Sequence, residues 1–500
     1  MLHSLKFYLL HLLILIPVLA LGQKKSEKRG VSQNGFSYSE EVKALEPGVS
    51  WYYNWATSLN NTELPFFTAE TEIAFYPMCW NGNFDESVLM NYFELHPNVK
   101  YLLGFNEPNF KAQANMTPAE AASIWPQLEK IAEKYDLELV APALNYSPDA
   151  PYTNPVDWYD EFFEIYPDAK VDYLALHCYM ITSDAMMSFI NNISDRYGKK
   201  IWLTEFCAWD NLSKDPEIAR QTQKDEMLRK VEAMELSEKV AKYSWFKARG
   251  ADSYPYYSLM RYKNDSQGIL PGTLTELGKI YVNMSSFDTN FYYTIDGKIP
   301  ATNYIKSAYI SVEENSDLES DNVLQVSNFS SGRSLEYLID IPKEGEYEVM
   351  FRMISIHEPF SPVIDVYSDD VKLKTFIPEP SITENDWKNH IIKLNLPKGK
   401  QRIIFKSKKS TYLKLNWFSL DTNIVSSVNE IKDISLITKT NDFIFFNKPI
   451  SECHLYSLDG KIEKSVFNSN EFSIKDLKHG FYMLKIKFPD GRIYTEKLLH

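Results

Sequence analysis

From residue 47 to about 290, short apolar runs alternate with amphipathic stretches. The runs are "GVSWYYNWA", "EIAFYPMCW", "VKYLLGFNE", "LELVAPALN", "VDYLALHCY", "KIWLTEFCA" and "KYSWFKARG". Runs apolar through their length read as strands buried on both faces. Between several of them lie segments such as "TPAEAASIWPQLEKIAEKY", where Thr117 is placed as an N-cap and Pro118 in the first helical turn. Strand–helix alternation implies parallel strands joined by crossovers. About 240 residues of it suits an eight-stranded (β/α) barrel. Seven strands are clear, and the eighth is expected in "SLNNTELPFFTAET", between the first two runs. A doubly wound open sheet is the structural alternative. It would want a glycine-rich phosphate loop after its first strand, and the sequence has none.

Beyond residue 290 the period changes to two. "SLEYLIDI", "GEYEVMFRMIS", "SPVIDVYSD", "NHIIKLNLP", "QRIIFKSK" and "LKLNWFSL" are short strands separated by turns such as "PKEGE" and "LPKGK". This spacing predicts a β-sandwich over 291–424. "TNIVSSVNEIKD" reads as a linker, and 425–500 as a small all-β domain with Asp-Gly turns. In "FYMLKIKF", Tyr482, Leu484, Ile486 and Phe488 share one face, and Met483, Lys485 and Lys487 the other. At the other end, residues 1–22 carry Lys6, a short apolar run and small residues, the pattern of a cleaved signal peptide. Residues 23–46 are polar and charged and read as a linker. The expected fold class is therefore multidomain: a (β/α)8 TIM barrel over 47–290, a β-sandwich, and a C-terminal all-β domain. The mature chain has no further segment apolar enough to span a bilayer.

Composition narrows the partners. The 500 residues include 44% hydrophobic and 24% charged positions, which describes a globular chain. A formal charge of −14, with no basic stripe, argues against nucleic acid. Aromatics reach 14%, an enrichment suited to stacking on flat hydroxylated faces. Four widely spaced cysteines, Cys79, Cys178, Cys207 and Cys453, make neither a disulfide framework nor a metal motif. Cys207 is expected to pack rather than react.

The candidate chemistry lies at the strand ends, where barrels carry catalytic groups. Glu107 closes "YLLGFNE" and Glu205 closes "KIWLTE". Simple alternation puts Leu103, Phe105 and Glu107 on one side, and Leu203 and Glu205 likewise. Two carboxylates meeting above an apolar floor suit retaining glycoside hydrolysis, in which one protonates the leaving oxygen and the other attacks the anomeric carbon. Such a floor would raise the pKa of whichever carboxyl lacks hydrogen-bond partners. Asn106 is placed to bind a sugar hydroxyl. Tyr179 is placed to donate to a nucleophilic carboxylate, and His177 to contact sugar or carboxylate. Trp51, Tyr52, Tyr53, Trp55, Trp80, Trp209 and Trp245 cluster at or near strand ends; Trp51, Tyr53, Trp80, Trp209 and Trp245 are the candidates for sugar contacts, with buried packing as the alternative for each.

The motifs "WYYNW", "GFNEPNFKAQANMTPAEAASIWP", "LVAPALN", "LALHCY" and "WLTEF" together resemble glycoside hydrolase family 128. The resemblance implies a (β/α)8 endo-β-1,3-glucanase, with Glu107 as acid/base on strand four, Glu205 as nucleophile on strand seven, and no cofactor. The middle domain is similar to carbohydrate-binding modules of family 6, which implies sugar-binding roles for Trp387 and Asn416. Thr302 stands where that family often has a carboxylate calcium ligand, so no metal is expected there. "CHLYSLDGKIEKS" and "IKDLKHGFYMLKIKFPDGRIYTEKLLH" resemble the type A C-terminal sorting domain of type IX secretion. That implies handling by the secretion machinery and a secreted or surface-attached enzyme. The expected substrate is a β-glucan polysaccharide of the laminarin or curdlan type. Two alternatives stay open: a non-catalytic surface glycan-binding protein, and the same chemistry on another β-glycan.

Overall fold

The computed structural model describes residues 23–499 except 68–70, 209–212, 251–255, 262–267, 269, 296, 411, 423–436, 440–442, 447–448, 458–460, 479 and 490–492. The signal-peptide segment, nearly all of the second linker and Trp209 thus lie outside the described residues. Two compact units divide at Thr422 and Asn423.

The first unit opens with an eight-stranded parallel sheet. Its strands are β1 (Arg29–Ser32), β2 (Trp51–Tyr53), β3 (Ala74–Phe75), β4 (Tyr101–Leu103), β5 (Glu138–Leu144), β6 (Tyr173–Cys178), β7 (Lys200–Phe206) and β8 (Val240–Phe246). The order is β3-β2-β1-β8-β7-β6-β5-β4. The two edges meet where Met78, just past β3, bridges Leu103, and the Leu103 N–H donates to the Pro77 carbonyl at 2.9 Å. The sheet therefore curls back on itself as in a TIM-like barrel. Around it run α1 (Ser39–Leu45), α2 (Glu86–Leu95), α3 (Pro118–Tyr135), α4 (Pro155–Ile165), α5 (Ser183–Tyr197), α6 (Pro216–Leu236) and α7 (Glu276–Asn283). Thr117 caps α3 in a reciprocal box with Glu120.

The missing strand is β1, inside the segment expected to be a linker. "RGVS" has one large apolar residue, so periodicity does not reveal it. Its Arg29 is fully buried and donates to the carbonyls of Tyr281 (2.9 Å) and Ser285 (2.6 Å). Its Gly30 lies flat against Trp51, whose ring would be 2.3 Å from a Cβ there. The stretch "SLNNTELPFFTAET" instead holds a short 3-10 turn, Leu64–Phe66. Glu107 still follows the fourth strand.

Trp51, Tyr53, Tyr76, Met78, Leu103, Val140, Ala143, Ala175 and Trp202 fill the barrel interior. Strict alternation fails near the tips. Phe105 packs outward against Trp125 of α3 although Leu103 faces inward. In β7, Leu203 packs in the helix-side core, and the register against β6 slips between Leu176–Leu203 and His177–Glu205. Thr204 is the extra residue of this bulge, which turns Glu205 back to the inside.

Antiparallel strands then form two stacked sheets. One contains 334–341 and 399–409, the other 345–356, 388–396 and 412–422. Tyr337, Phe351, Phe405 and Phe418 interlock between them. In Lys388–Leu396 buried and exposed positions alternate strictly from His390 onward. This sandwich is docked on α6 and α7. Glu232 accepts from the Ser307 N–H at 2.9 Å and its hydroxyl at 2.7 Å, Lys279 pairs with Glu314 at 2.6 Å, and Arg229 lies over the Tyr309 ring. The second unit is an antiparallel β domain with its own core, including Ile444, Cys453, Leu455, Leu484 and Ile486.

Candidate active site

Glu107 is delivered by the turn after β4. Its φ of 45° lies in the left-handed region, strained for a side-chain-bearing residue. Its N–H donates to the Ala143 carbonyl at 2.9 Å, and two residues on, Asn109 Nδ2 donates to the Asn145 carbonyl at 2.8 Å. These bonds lace the β4 and β5 tips together and hold the strained turn. Glu205 arrives from the β7 bulge. Both carboxylates are buried and point at one atom: His177 Nδ1, on the tip of β6, is 2.9 Å from Glu107 Oε1 and 3.4 Å from Glu205 Oε2. With both carboxyls ionised, that nitrogen must carry the proton, because a carboxylate offers only acceptors.

Glu205 collects further donors. Tyr179 donates to Oε2 by a short bond; Trp55 Nε1 donates to Oε1 at 2.8 Å and the Tyr53 hydroxyl at 3.3 Å. Despite these donors its pKa is raised above the ordinary carboxylate value. Burial is the main cause and the Glu107 charge adds to it, against the lowering by His177, Tyr179 and Trp55. The sequence predicts an upward shift for a carboxyl that lacks hydrogen-bond partners; Glu205 has partners, and burial still outweighs them. The His177 pKa is also raised. Burial opposes its charge, and Glu205 and Glu107 together overcome that. Tyr53 and Tyr179 are held well above the usual phenol value by burial and by Glu205, so both remain donors.

The other sequence candidates divide. Asn106 is buried beside Glu107, and its Oδ1 has no hydrogen-bond partner among the described residues. Trp80 is half-buried, and its carbonyl takes the Asn106 N–H at 2.8 Å. Trp51 is not on the rim. It packs inside the barrel with Nε1 on the Lys28 carbonyl at 2.9 Å. Trp245 is likewise fully buried, against Phe206 and Tyr281, on the helix side. In the sandwich, Asn416 is closed off: its Nδ2 donates to Asp317 at 3.0 Å and its Oδ1 accepts from Asn322 at 2.8 Å. Its expected sugar-gripping role does not fit that engagement. Trp387 is nearly buried, with Nε1 3.3 Å from the Ser316 hydroxyl. Cys207 is fully buried, and burial pushes its thiol up to about 12, as befits packing. Trp55 was visible in sequence only as one of many rim aromatics. Its contact depends on a left-handed φ of 59°, which no local pattern announces.

The glycosyl hydrolase catalytic core family model matches residues 30–281. Alkali-sensitive linkage protein 1 of Schizosaccharomyces pombe is 27% identical over 273 residues, which is 52% of this chain and 45% of that protein. The chain thus spans less than half the length of this curated relative. Among solved structures, a GH128 (subgroup II) endo-β-1,3-glucanase from Pseudomonas viridiflava is 36% identical, covering 52% of this chain and 98% of that one, at a TM-score of 0.47. A GH128 (subgroup I) endo-β-1,3-glucanase from Amycolatopsis mediterranei, in complex with laminaritriose, is 27% identical, covering 51% and 99%, at a TM-score of 0.41.

Proposed function

The chain belongs to the glycosyl hydrolase catalytic core family, and on that premise we propose that it is a retaining endo-glycosidase acting on β-1,3-glucan. One observation carries the mechanism: both carboxylates reach the same imidazole nitrogen, at 2.9 and 3.4 Å. Their nearest oxygens are therefore no more than about 6.3 Å apart, below the ~6.5–9.5 Å that accommodates an inverting water and compatible with the ~5–5.5 Å gap of double displacement. Glu107 protonates the leaving oxygen and later deprotonates water. Glu205, ringed by Tyr179, Trp55 and Tyr53 donors, attacks the anomeric carbon and carries the glycosyl intermediate. Asn106, whose buried Oδ1 is free of protein partners among the described residues, accepts from a sugar hydroxyl, and half-buried Trp80 borders the same site. The 36% identity to an endo-β-1,3-glucanase over nearly all of that chain supports the linkage.

The same reading makes the sandwich a family 6-like glycan-binding module, with Trp387 rather than the engaged Asn416 as its candidate contact. Residues 425–500 serve as a type IX sorting domain, and the enzyme is secreted or surface-attached. Support for these comes from the sequence resemblances. The test is direct. Glu107→Gln and Glu205→Gln should each nearly abolish laminarin hydrolysis with an unchanged melting temperature. Azide should rescue Glu205→Ala with an inverted product and Glu107→Ala with a retained one. Near-parental turnover in either Gln variant would end the assignment, and retardation on glucan gels without any product from the parent would favour a pure glycan binder.

A further inference from the structure

α6 buries a polar face where packing alone would call for an apolar one. Gln223, Glu226 and Lys230 follow at helical spacing and are all buried; Lys230 is fully so. None of them touches the carboxylate pair. Each instead bonds backbone just beyond the tips of β6 and β7. Gln223 Oε1 accepts from the Ala208 N–H at 2.6 Å, and Glu226 Oε2 from the Ser183 N–H at 2.8 Å. Lys230 Nζ donates to the Cys207 carbonyl at 2.8 Å and, by a shorter bond, to the Met180 carbonyl. The β6–β7 ladder ends at the Cys178–Phe206 pair. Met180 adjoins Tyr179, and Cys207 lies two residues past Glu205. The helix therefore takes over the holding of both tips where the sheet stops.

A buried ammonium is an expensive way to fill this space. Burial lowers the pKa of Lys230, with Cys178, Cys207 and Glu226 opposing. Replacing a whole buried ion pair by apolar residues of similar volume is often neutral or stabilising, so burying an ammonium is not required for packing. A residue that carries this desolvation cost and directs its donors to two neighbouring loops is better explained by aim than by packing.

We infer that Gln223, Glu226 and Lys230 are positioning residues, which fix the β6 and β7 tips and through them the Tyr179–Glu205 hydrogen bond. The inference rests on the hydrolytic role proposed above for Glu205. It has its own structural readout. Lys230→Met and Gln223→Leu are made in the full chain and compared with the parent. Melting temperature, amide exchange at Ser183 and Ala208, kcat and KM on laminarin, and the pH dependence of kcat/KM are measured.

Lys230→Met should lower the melting temperature modestly, because the Met180 and Cys207 carbonyls lose their donor. Amide exchange at one or both sites should accelerate about tenfold or more, as local opening becomes easier. kcat should fall about 10–100-fold with KM within about threefold, the signature of a small misplacement at the reacting groups. The acid limb of kcat/KM should move to higher pH, since a loosened Tyr179 no longer lowers the Glu205 pKa. Gln223→Leu, which removes the acceptor of the Ala208 N–H, should shift Ala208 exchange and the acid limb in the same direction by less, and it decides the matter if Lys230→Met does not fold. Unchanged exchange at both amides overturns the inference, as does a kcat loss that only tracks lost folded protein with the acid limb fixed. A parent inactive on every β-glucan defeats the proposed function instead, while the exchange data still judge the positioning.

Discussion

Tyr179→Phe removes one oxygen and keeps the ring against Phe246, 5.6 Å between centroids. It therefore isolates the donor role. The hydroxyl donates to Glu205 Oε2 inside a buried site, and the bond lowers a pKa that burial has raised. A hydrogen bond to a charged group contributes about 1.5–3 kcal/mol. At ~1.4 kcal/mol per pKa unit, losing it moves the Glu205 pKa up by about one to two units. The nucleophile must be ionised, so the acid limb of kcat/KM should rise by the same amount. Turnover of laminarin oligosaccharides, followed by reducing ends across pH 3.5–8 (roughly bracketing ordinary carboxylate and imidazole values), reads it out. Loss should be steep on the acid side and shallow on the plateau. An acid limb that stays within a few tenths of a unit, or moves down, would refute the account of how Glu205 is kept charged.

Two further outcomes follow from groups already described. His177 has a folded pKa above 6.5, so folded protein holds its proton longer than unfolded chain does. Its stabilising contribution is complete below pH 6.5 and fades as pH climbs through the folded value; His177→Gln should flatten the fall in melting temperature across that window, and an identical slope would contradict it. Asn416→Ala should cost about 1–3 kcal/mol in urea unfolding of the first unit, because it strips a donor from buried Asp317. It should leave any glycan retardation of the sandwich intact; a selective loss of retardation would return Asn416 to the binding site.

The long apolar runs were legible because burial on both faces leaves no polar interruption to misread. β2 to β8 follow from it, whereas α3 was announced by its Thr117 cap and the strand of Leu484 and Ile486 by one-sided alternation. β1 was hidden because a strand pressed between neighbours can meet its burial needs with Arg29 and Gly30. Those residues make sense only beside the carbonyls at the C-terminal end of α7 and the Trp51 ring. The carboxylate pair was readable, but the reason for its convergence was not. Sequence alternation pointed Glu205 inward by placing Leu203 inward too. The chain reaches the same aim through a bulge at Thr204, and it reaches Glu107 through a left-handed turn. Both depend on cross-strand register, which no single strand encodes. Of the strand-end aromatics, Trp51 and Trp245 take the packing alternative: Trp51 opens β2 and fills the barrel interior, and the Trp245 ring turns to the helices.

The grip of Ser307, Glu314 and Tyr309 on α6 and α7 leaves no slack tether between barrel and sandwich. If the sandwich binds glycan as proposed, a polymer clasped there would meet the carboxylate pair at one set span, as on a gauge, rather than over the range a floppy leash permits. Chain length between grasp and cut would then be dictated by the body of the protein, and short oligomers unable to bridge that span would gain nothing from the second lobe.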